Sequence, residues 1–280
     1  MKTCYHIHSN YSDGKNTIEQ IVKAAIENGF KRIALTDHAP VPFPSDWNMP
    51  YDLLTKYLAH IERIQEEFQN NILILRGLEI DYLTGLRQIA FFKNFGLDIT
   101  VGSVHYVNYF VDGTPFNIDK SKEIFLEGLK QIYNNDIKKF AYDYYSLIIE
   151  MVMFDPPDIV AHLTLIEKFN KSLNYLLNTK ESWYRDLIYT ALHTIKLADL
   201  VLEVNTRSFY RGLSDEFVPD LWTLKNAKKM NIPITINGDI HCTDDFGKYW
   251  KQAIEFIKAA GYSEIIIFDV NGSRQTIKID

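Results

Sequence analysis

Short apolar runs alternate along this chain with longer stretches whose apolar residues recur every three to four positions. The short runs fall at residues 3–7, 32–36, 72–79, 99–104, 158–161, 200–204, 232–236 and 264–268. They are rich in Ile, Val, Leu and Thr, and several are apolar throughout, as strands buried on both faces of a parallel sheet are. The stretches between them carry helix signals. Thr17, with Gln20 three positions on, forms a capping box for a helix reaching Asn28, and Gly29 suits the left-handed position that follows. Pro219 reads as part of a first helical turn, and Met230-Asn231 as that helix's end. Residues 53–68, 121–153, 181–197 and 245–260 also have helical spacing, and 39–50 reads as a long Pro-rich loop. A strand–helix unit repeated about seven times calls for a parallel sheet with helices outside it, and over this length for a closed barrel. No Gly/Ser/Pro linker divides the chain, so residues 1–280 read as one domain.

Composition narrows the class. With 280 residues, 46% hydrophobic and 24% charged, the chain is ordinary globular protein, long enough to bury about three-quarters of its surface without disulfides. Thirty basic against thirty-six acidic residues leave a net charge of −6, with no basic stripe to track phosphates, which argues against a nucleic-acid partner. Cys4 and Cys242 are too few for a secreted disulfide framework. No apolar run approaches the roughly 20 residues that span a bilayer, and the first residues lack a signal peptide's apolar stretch. These features predict a cytoplasmic small-molecule enzyme with no membrane partner.

The informative feature is where the ionisable residues fall. The predicted strands run out into His6-Ile7-His8, Asp37-His38, Glu79-Ile80-Asp81, His105, His162, Glu203-Val204-Asn205 and Asp239-Ile240-His241. Six of the eight histidines therefore stand at strand C-termini, which meet on one face of a parallel barrel, the face where substrates bind. Residues two apart in a strand share a face, so His6 with His8, and Asp239 with His241, point the same way about 6.6 Å apart and can converge on one ion. Cys4 shares that parity one layer deeper and reads as packing, and Gly77, on the parity of Glu79, leaves space inside the barrel. His60 and His193 fall mid-helix and read as surface or packing residues.

Each element alone has an ordinary explanation. A single histidine is more often a satisfied structural residue than a ligand, and Glu79 or Asp239 alone suits a helix cap. Together the ordinary explanations fail, because seven strands would each place a costly polar group on one rim by chance. Nitrogen and carboxylate donors without cysteine pairs suit Zn²⁺, Mn²⁺ or Fe²⁺, and the donors are numerous enough for two or three ions. Glu79 is placed to bridge two of them, and paired ions favour hydrolysis of a phosphoester.

These residues also resemble the PHP (polymerase and histidinol phosphatase) family, in motif order and over nearly the whole chain: His6-Ile7-His8-Ser9 through Ser12-Asp13-Gly14, Thr36-Asp37-His38, Glu79, His105, His162 and Asp239-Ile240-His241. The wording of residues 77–82, 101–105 and 161–163, with Lys168-Phe169, is similar to the family's stand-alone histidinol-phosphate phosphatases. The resemblance implies a distorted (β/α)₇ TIM-like barrel with a three-metal site at the C-terminal face of the strands. It implies that His6, His8, Glu79 and Asp239 hold one ion, that Glu79 bridges to a second held by His105 and His162, and that His38, His241 and Asp13 hold the third. Many relatives have histidine near the position of Asp13. The segment after the seventh unit, ending in Asn271-Gly272-Ser273, reads as an edge hairpin.

The activity implied is L-histidinol phosphate plus water to L-histidinol and phosphate, with Glu79, Asp239 and His241 catalytic and a proton delivered by Asp239 or His241. Arg207, Arg211 and Lys168 are the expected phosphate partners, and Glu203 and Asn205 either orient ligands or meet the substrate's ammonium. Two readings compete: a metal-binding module without catalysis, which the full ligand set disfavours, and a nuclease, which the net acidity and the absence of an attached polymerase disfavour. Oligomeric state is not legible.

Overall fold

A computed structural model describes residues 1–279. Its strands are β1 (Lys2–Cys4), β2 (Phe30–Leu35), β3 (Leu73–Asp81), β4 (Ile99–Ser103), β5 (Tyr106–Tyr109), β6 (Pro115–Asn117), β7 (Ile159–Val160), β8 (Val201–Asn205), β9 (Ile234–Asn237), β10 (Glu264–Phe268) and β11 (Arg274–Lys278). The helices are α1 (Ile18–Glu27), α2 (Tyr51–Phe68), α3 (Gln88–Lys93), α4 (Lys122–Gln131), α5 (Ile137–Phe154), α6 (Ser182–Leu197), α7 (Arg207–Tyr210), α8 (Leu221–Lys229) and α9 (Trp250–Ala259). Seven strands pair in the order β1-β2-β3-β4-β7-β8-β9, and every pairing is parallel. The ring closes beyond the ladders through a parallel bridge of Ile7 with Ile240, where the His8 N–H donates to the Ile240 carbonyl at 2.8 Å. This is the nearly closed (β/α)₇ barrel that the alternation predicts.

Two faces of each strand do different work. Ile33, Leu35, Ile74, Leu78 and Ile236 face outward into the main core under the helices. Buried stripes such as Ile18, Ile21, Val22 and Ala25 on α1, or Leu54, Tyr57, Leu58, Ile61 and Ile64 on α2, meet them at helical spacing. The capping box is formed, with Gln20 N–H donating to the Thr17 hydroxyl and Gln20 Oε1 accepting from the Thr17 N–H. Inside the barrel, Ala34, Leu75, Ile99, Val101, Ile159 and Val201 make an apolar layer in the N-terminal half. The space left by Gly77 is already taken: a Cβ there would lie 2.7 Å from Thr36 Cγ2 and 2.9 Å from Ile99 Cγ2. Towards the strands' C-terminal ends the interior turns polar, and this gradient positions the site.

The eighth strand-like run is β10, paired antiparallel with β11 as a hairpin. It closes the N-terminal end of the barrel, where Phe268 meets Tyr5 edge-to-face at 5.2 Å and donates its N–H to the Tyr5 hydroxyl.

Four expectations need correction. The helical stretch 121–153 is two helices, because Asn134 (φ 51°) and Asn135 (φ 63°) turn left-handed and Asp136 caps a new helix. Pro219 precedes the helix; Asp220 caps it, accepting from the Thr223 N–H. Residues 245–260 begin with a 3₁₀ turn at Thr243–Asp245, and α9 starts only after Gly247 and Tyr249 take positive φ. Cys4 does not share a face with His6. The β1 ladder ends at Cys4, Tyr5 faces the inner layer, and Cys4 packs in the outer core with Sγ 3.3 Å from the Gly238 nitrogen. The antiparallel pair β5–β6 and the short α3 were not expected, since strands of three or four residues leave no period to read.

Candidate metal centre

The strand ends bring their polar residues to one rim. Glu79, from the last part of β3, lies at the centre. Its Oε2 is 3.1 Å from His6 Nε2, 3.5 Å from His8 Nε2 and 2.9 Å from His38 Nδ1. Its Oε1 is 3.1 Å from His162 Nε2 and 3.7 Å from His105 Nε2. Asp239 Oδ1 lies 3.6 Å from His8 Nε2, 3.9 Å from His6 Nε2 and 3.2 Å from His241 Nδ1. Asp13 joins from the loop after β1, its Oδ2 3.0 Å from His241 Nε2 and its Oδ1 3.7 Å from both His38 and His8. That loop folds tightly because Gly14 passes over His8, where a Cβ would sit 2.2 Å from the His8 carbonyl oxygen.

These donors suit metal ions. His6 Nε2, both ring nitrogens of His8, His38 Nδ1 and Glu79 Oε2 are buried without a hydrogen-bond partner, even where another donor atom lies close. Atoms that are near but not aligned on one another are aimed at a common point. Four ligands at about 2.0–2.1 Å from one ion stand about 3.3 Å apart, the spacing seen around Glu79. Four groups of donors can each converge within 4.8 Å: His8, Asp13, His38 and His241; His6, His8 and Glu79; His6, His162 and Asp239; and Glu79, His105 and His162. A fifth, His38 with Asp81 and His105, includes a carboxylate absent from the expected ligand set.

Behind the donors stands a layer of orienting carboxylates. Glu203, fully buried on β8, holds His6 Nδ1 at 2.7 Å, accepts the His162 N–H at 2.8 Å, and is hydrogen-bonded by Asn205 and Asn237. Asp81 holds His105 Nδ1 at 2.8 Å. Asp37 accepts from Ser9 N–H and hydroxyl at 2.8 Å and from the Ser12 hydroxyl at 2.6 Å, fixing the Asp13 loop. Each His–carboxylate pair leaves the other ring nitrogen for the centre. Asp239 sits in the left-handed region (φ 49°), a strained conformation of the kind that clusters at functional sites.

The electrostatics follow from this crowding. Burial opposes the charged form of His6, but Glu203, Glu79 and Asp239 overcome it and raise its pKa well above the usual value. Burial and the neighbouring His241 and His38 lower that of His8. His105 is likewise penalised by burial, yet Asp81 and Glu79 push it up to about 9. Burial favours neutral Glu79, and the surrounding His38, His6 and His105 outweigh it, holding the carboxyl well below its ordinary range.

A cavity of about 310 Å³ opens over the centre, lined by Asp13, His38, Glu79, His105, His162, Asp239 and His241. Arg207, Lys168 and Asn205 also line it. Arg207 Nη1 donates to the Asp239 carbonyl at 2.8 Å and lies 2.5 Å from His241 Nδ1, while Lys168 Nζ pairs with Asp119 at 2.5 Å. Arg211, the exposed C-cap of α7, stands one helical turn beyond Arg207 and does not line the cavity. Glu203 lies beneath the histidines and does not line the cavity, so it is not placed to meet a substrate ammonium. Asp81 sits two residues after Glu79 and carries the same strand parity, a signal that could have marked it. Trp47, Asp119 and Lys120 line the cavity from loops, where no periodicity marks a residue.

A parallel α/β barrel with imidazoles and carboxylates gathered at the strands' C-terminal rim defines a metal-binding barrel. The PHP domain profile matches residues 5–207, and the chain belongs to that family. It is 27% identical over 270 residues to the histidinol-phosphatase of Bacillus subtilis, covering 89% of this chain and 97% of that protein. A solved chain from Listeria monocytogenes superposes with a TM-score of 0.80 at 23% identity, covering 90% of this chain and 99% of that one. The histidinol phosphate phosphatase of Lactococcus lactis, solved with zinc, L-histidinol and phosphate, gives a TM-score of 0.71 at 24% identity and covers 98% of each chain. Among the described residues no helix is long and apolar enough to cross a membrane.

Proposed function

We infer that this protein is a metal-dependent phosphomonoester hydrolase that converts L-histidinol phosphate and water to L-histidinol and phosphate, the reaction class of relatives that match it nearly end to end. The observation that carries this reading is the convergence of six histidines and three carboxylates around Glu79, several with buried, unpartnered donor atoms. The ligand sets we assign are His6, His8, Glu79 and Asp239; Glu79, His105 and His162; and His38, His241 and Asp13. Divalent ions held there supply Lewis acidity toward a phosphoryl group and a nucleophile at neutral pH. Donor sets of nitrogen and carboxylate suit two or three ions of zinc, manganese or iron.

The chain's own groups do the rest. Arg207 offers its guanidinium to the phosphoryl oxygens, and Lys168 adds a second cation once its pairing with Asp119 is displaced. His241 presents Nε2 to Asp13 and Nδ1 to the donor-only Arg207 guanidinium, so both ring nitrogens are engaged and its part is that of a ligand. Glu203 and Asp81 keep His6 and His105 turned toward the centre. We read residues 1–280 as one catalytic unit; the two free cysteines and the net charge of −6 support a cytoplasmic enzyme whose partner is a small phosphorylated molecule and not a nucleic acid.

The test is phosphate release from histidinol phosphate with added Zn²⁺ or Mn²⁺. His6→Ala and His105→Ala are expected to lower turnover at least about 100-fold while circular dichroism stays native. Unchanged turnover in either variant overturns the assignment.

A further inference from the structure

Eight of the nine assigned ligands lie on a barrel strand or within four residues of its end. Asp13 is the exception. It stands nine residues beyond Cys4, the end of β1, and its side chain, 29% exposed, is the most open of the nine. A carboxylate on a loop serves an ion well only when the loop is held beforehand, because ordering it at the moment of binding costs conformational entropy. Asp37 holds this loop from the barrel side, through Ser9 and Ser12. On the helix side a separate chain of polar groups reaches the residue between them. The Tyr11 hydroxyl lies 3.1 Å from His60 Nδ1, and His60 Nε2 lies 2.8 Å from Glu19 Oε1. Arg63 Nη2 donates to that same oxygen at 2.8 Å. Glu19 only accepts, so His60 Nε2 carries the ring proton, and the neutral ring presents Nδ1 as an acceptor for the Tyr11 hydroxyl. Tyr57, three positions before His60 and on the same face of α2, meets the Tyr11 ring edge-to-face at 5.3 Å. The Tyr57 hydroxyl accepts the Asp37 N–H at 3.3 Å, so α2 supports both fastenings of the loop.

We propose that Tyr11 is a positioning residue for the outermost ion: its bond to His60, itself held by Glu19, fastens residues 9–14 to α1 and α2 and keeps Asp13 within reach of His38 and His241. The inference rests on the ligand sets assigned above. Among the described residues neither His60 nor Glu19 belongs to a group of donors that converge, so they act on the ion by holding the loop and not by ligation. The two fastenings also differ in what their loss does. Without the Tyr11 hydroxyl the Asp37 contacts remain, so the loop loosens and does not unfold. The cost then falls on the ion that needs Asp13. The ions assigned to His6, His8, Glu79 and Asp239, and to Glu79, His105 and His162, draw no ligand from residues 9–14 and keep their affinity.

The experiment titrates metal-stripped protein with Mn²⁺ in equilibrium dialysis and counts ions per chain in the parent, Tyr11→Phe, His60→Ala and the double variant. Asp13→Ala marks the class of sites that needs the loop carboxylate. Tyr11→Phe and His60→Ala are each expected to raise the dissociation constant of that class about tenfold and to leave the other classes within about twofold. The double variant should bind no more weakly than His60→Ala alone, since a hydroxyl that acts through His60 has nothing left to lose. Tyr11→Phe keeps its ring against Tyr57, so kcat for histidinol phosphate should return to the parent value at saturating Mn²⁺, with the midpoint of metal activation moved by the same factor as the dissociation constant. Unchanged affinity, equal weakening of every class, additive losses in the double variant, or no class that Asp13→Ala removes overturns the proposal, while phosphate release by the metal-loaded parent keeps the hydrolase reading. Absence of that release, with the ion counts as expected, overturns the hydrolase reading and leaves the role of Tyr11 in place.

Discussion

Asp81 shows how much a single side chain outside the expected ligand set decides. Its Oδ1 holds His105 Nδ1 at 2.8 Å and also lies near the His105 backbone N–H, fixing both the ring's tautomer and its aim. Asp81→Ala is expected to weaken the ion held with His105 about 10–100-fold, measured as bound metal against free metal in equilibrium dialysis. A second residue sets a pH dependence away from the metals. Glu167 accepts the Tyr184 hydroxyl at 2.6 Å; burial, only partly offset by that hydroxyl and reinforced by Asp220 and Glu216, pushes it up to about 8. Its folded pKa lies above the unfolded value of about 4.5, so its contribution to stability is complete below about pH 4.5 and is lost as pH rises through about 8. Glu167→Gln stays neutral throughout. Its melting temperature relative to the parent should therefore rise from pH 5 to about 8 and level off above that, and a constant difference would show that Glu167 does not titrate there. At this scale the six rim histidines were legible in the sequence, because each interrupts the end of an apolar run. The roles of Asp81 and Asp37 were not legible, because a carboxylate that orients a ligand and one that caps a helix look alike until their partners are known.

Elements were legible where the signal is local. Thr17 and Gln20 announce α1 by a reciprocal pair of hydrogen bonds that needs nothing beyond four residues. Thr17→Ala should cost about 1 kcal/mol, read as a melting point lower by about 2–4 °C. The break between α4 and α5 was not legible. Apolar spacing continues across it, and only the left-handed Asn134 and Asn135 with the Asp136 cap turn the chain. Arg211 fails for a related reason: its spacing from Arg207 suits one helix face, but where the cavity ends along α7 is set by the tertiary structure.

Across the whole molecule the barrel separates stability from chemistry. The apolar layer and the β10–β11 hairpin fill the N-terminal end, and the charged cluster occupies the other. Phe268→Ala, which empties the plug against Tyr5, should lower unfolding free energy in urea by about 3–5 kcal/mol while bound metal per chain is unaltered at temperatures where the fold persists. Loss of metal in that variant would mean the two ends are coupled.

The period of apolar residues and the habit of ending strands on histidine or carboxylate were enough, without coordinates, to imply a parallel barrel and to say which residues face its active rim. Both are repeating local properties, fixed by backbone geometry and side-chain polarity. Tertiary structure alone decided which donors lie within reach of one another, which carboxylates stand behind them, and what walls the space beyond. Those depend on distances between residues 233 positions apart, such as His6 and Asp239 or His8 and His241, and on loops whose sequences carry no period at all.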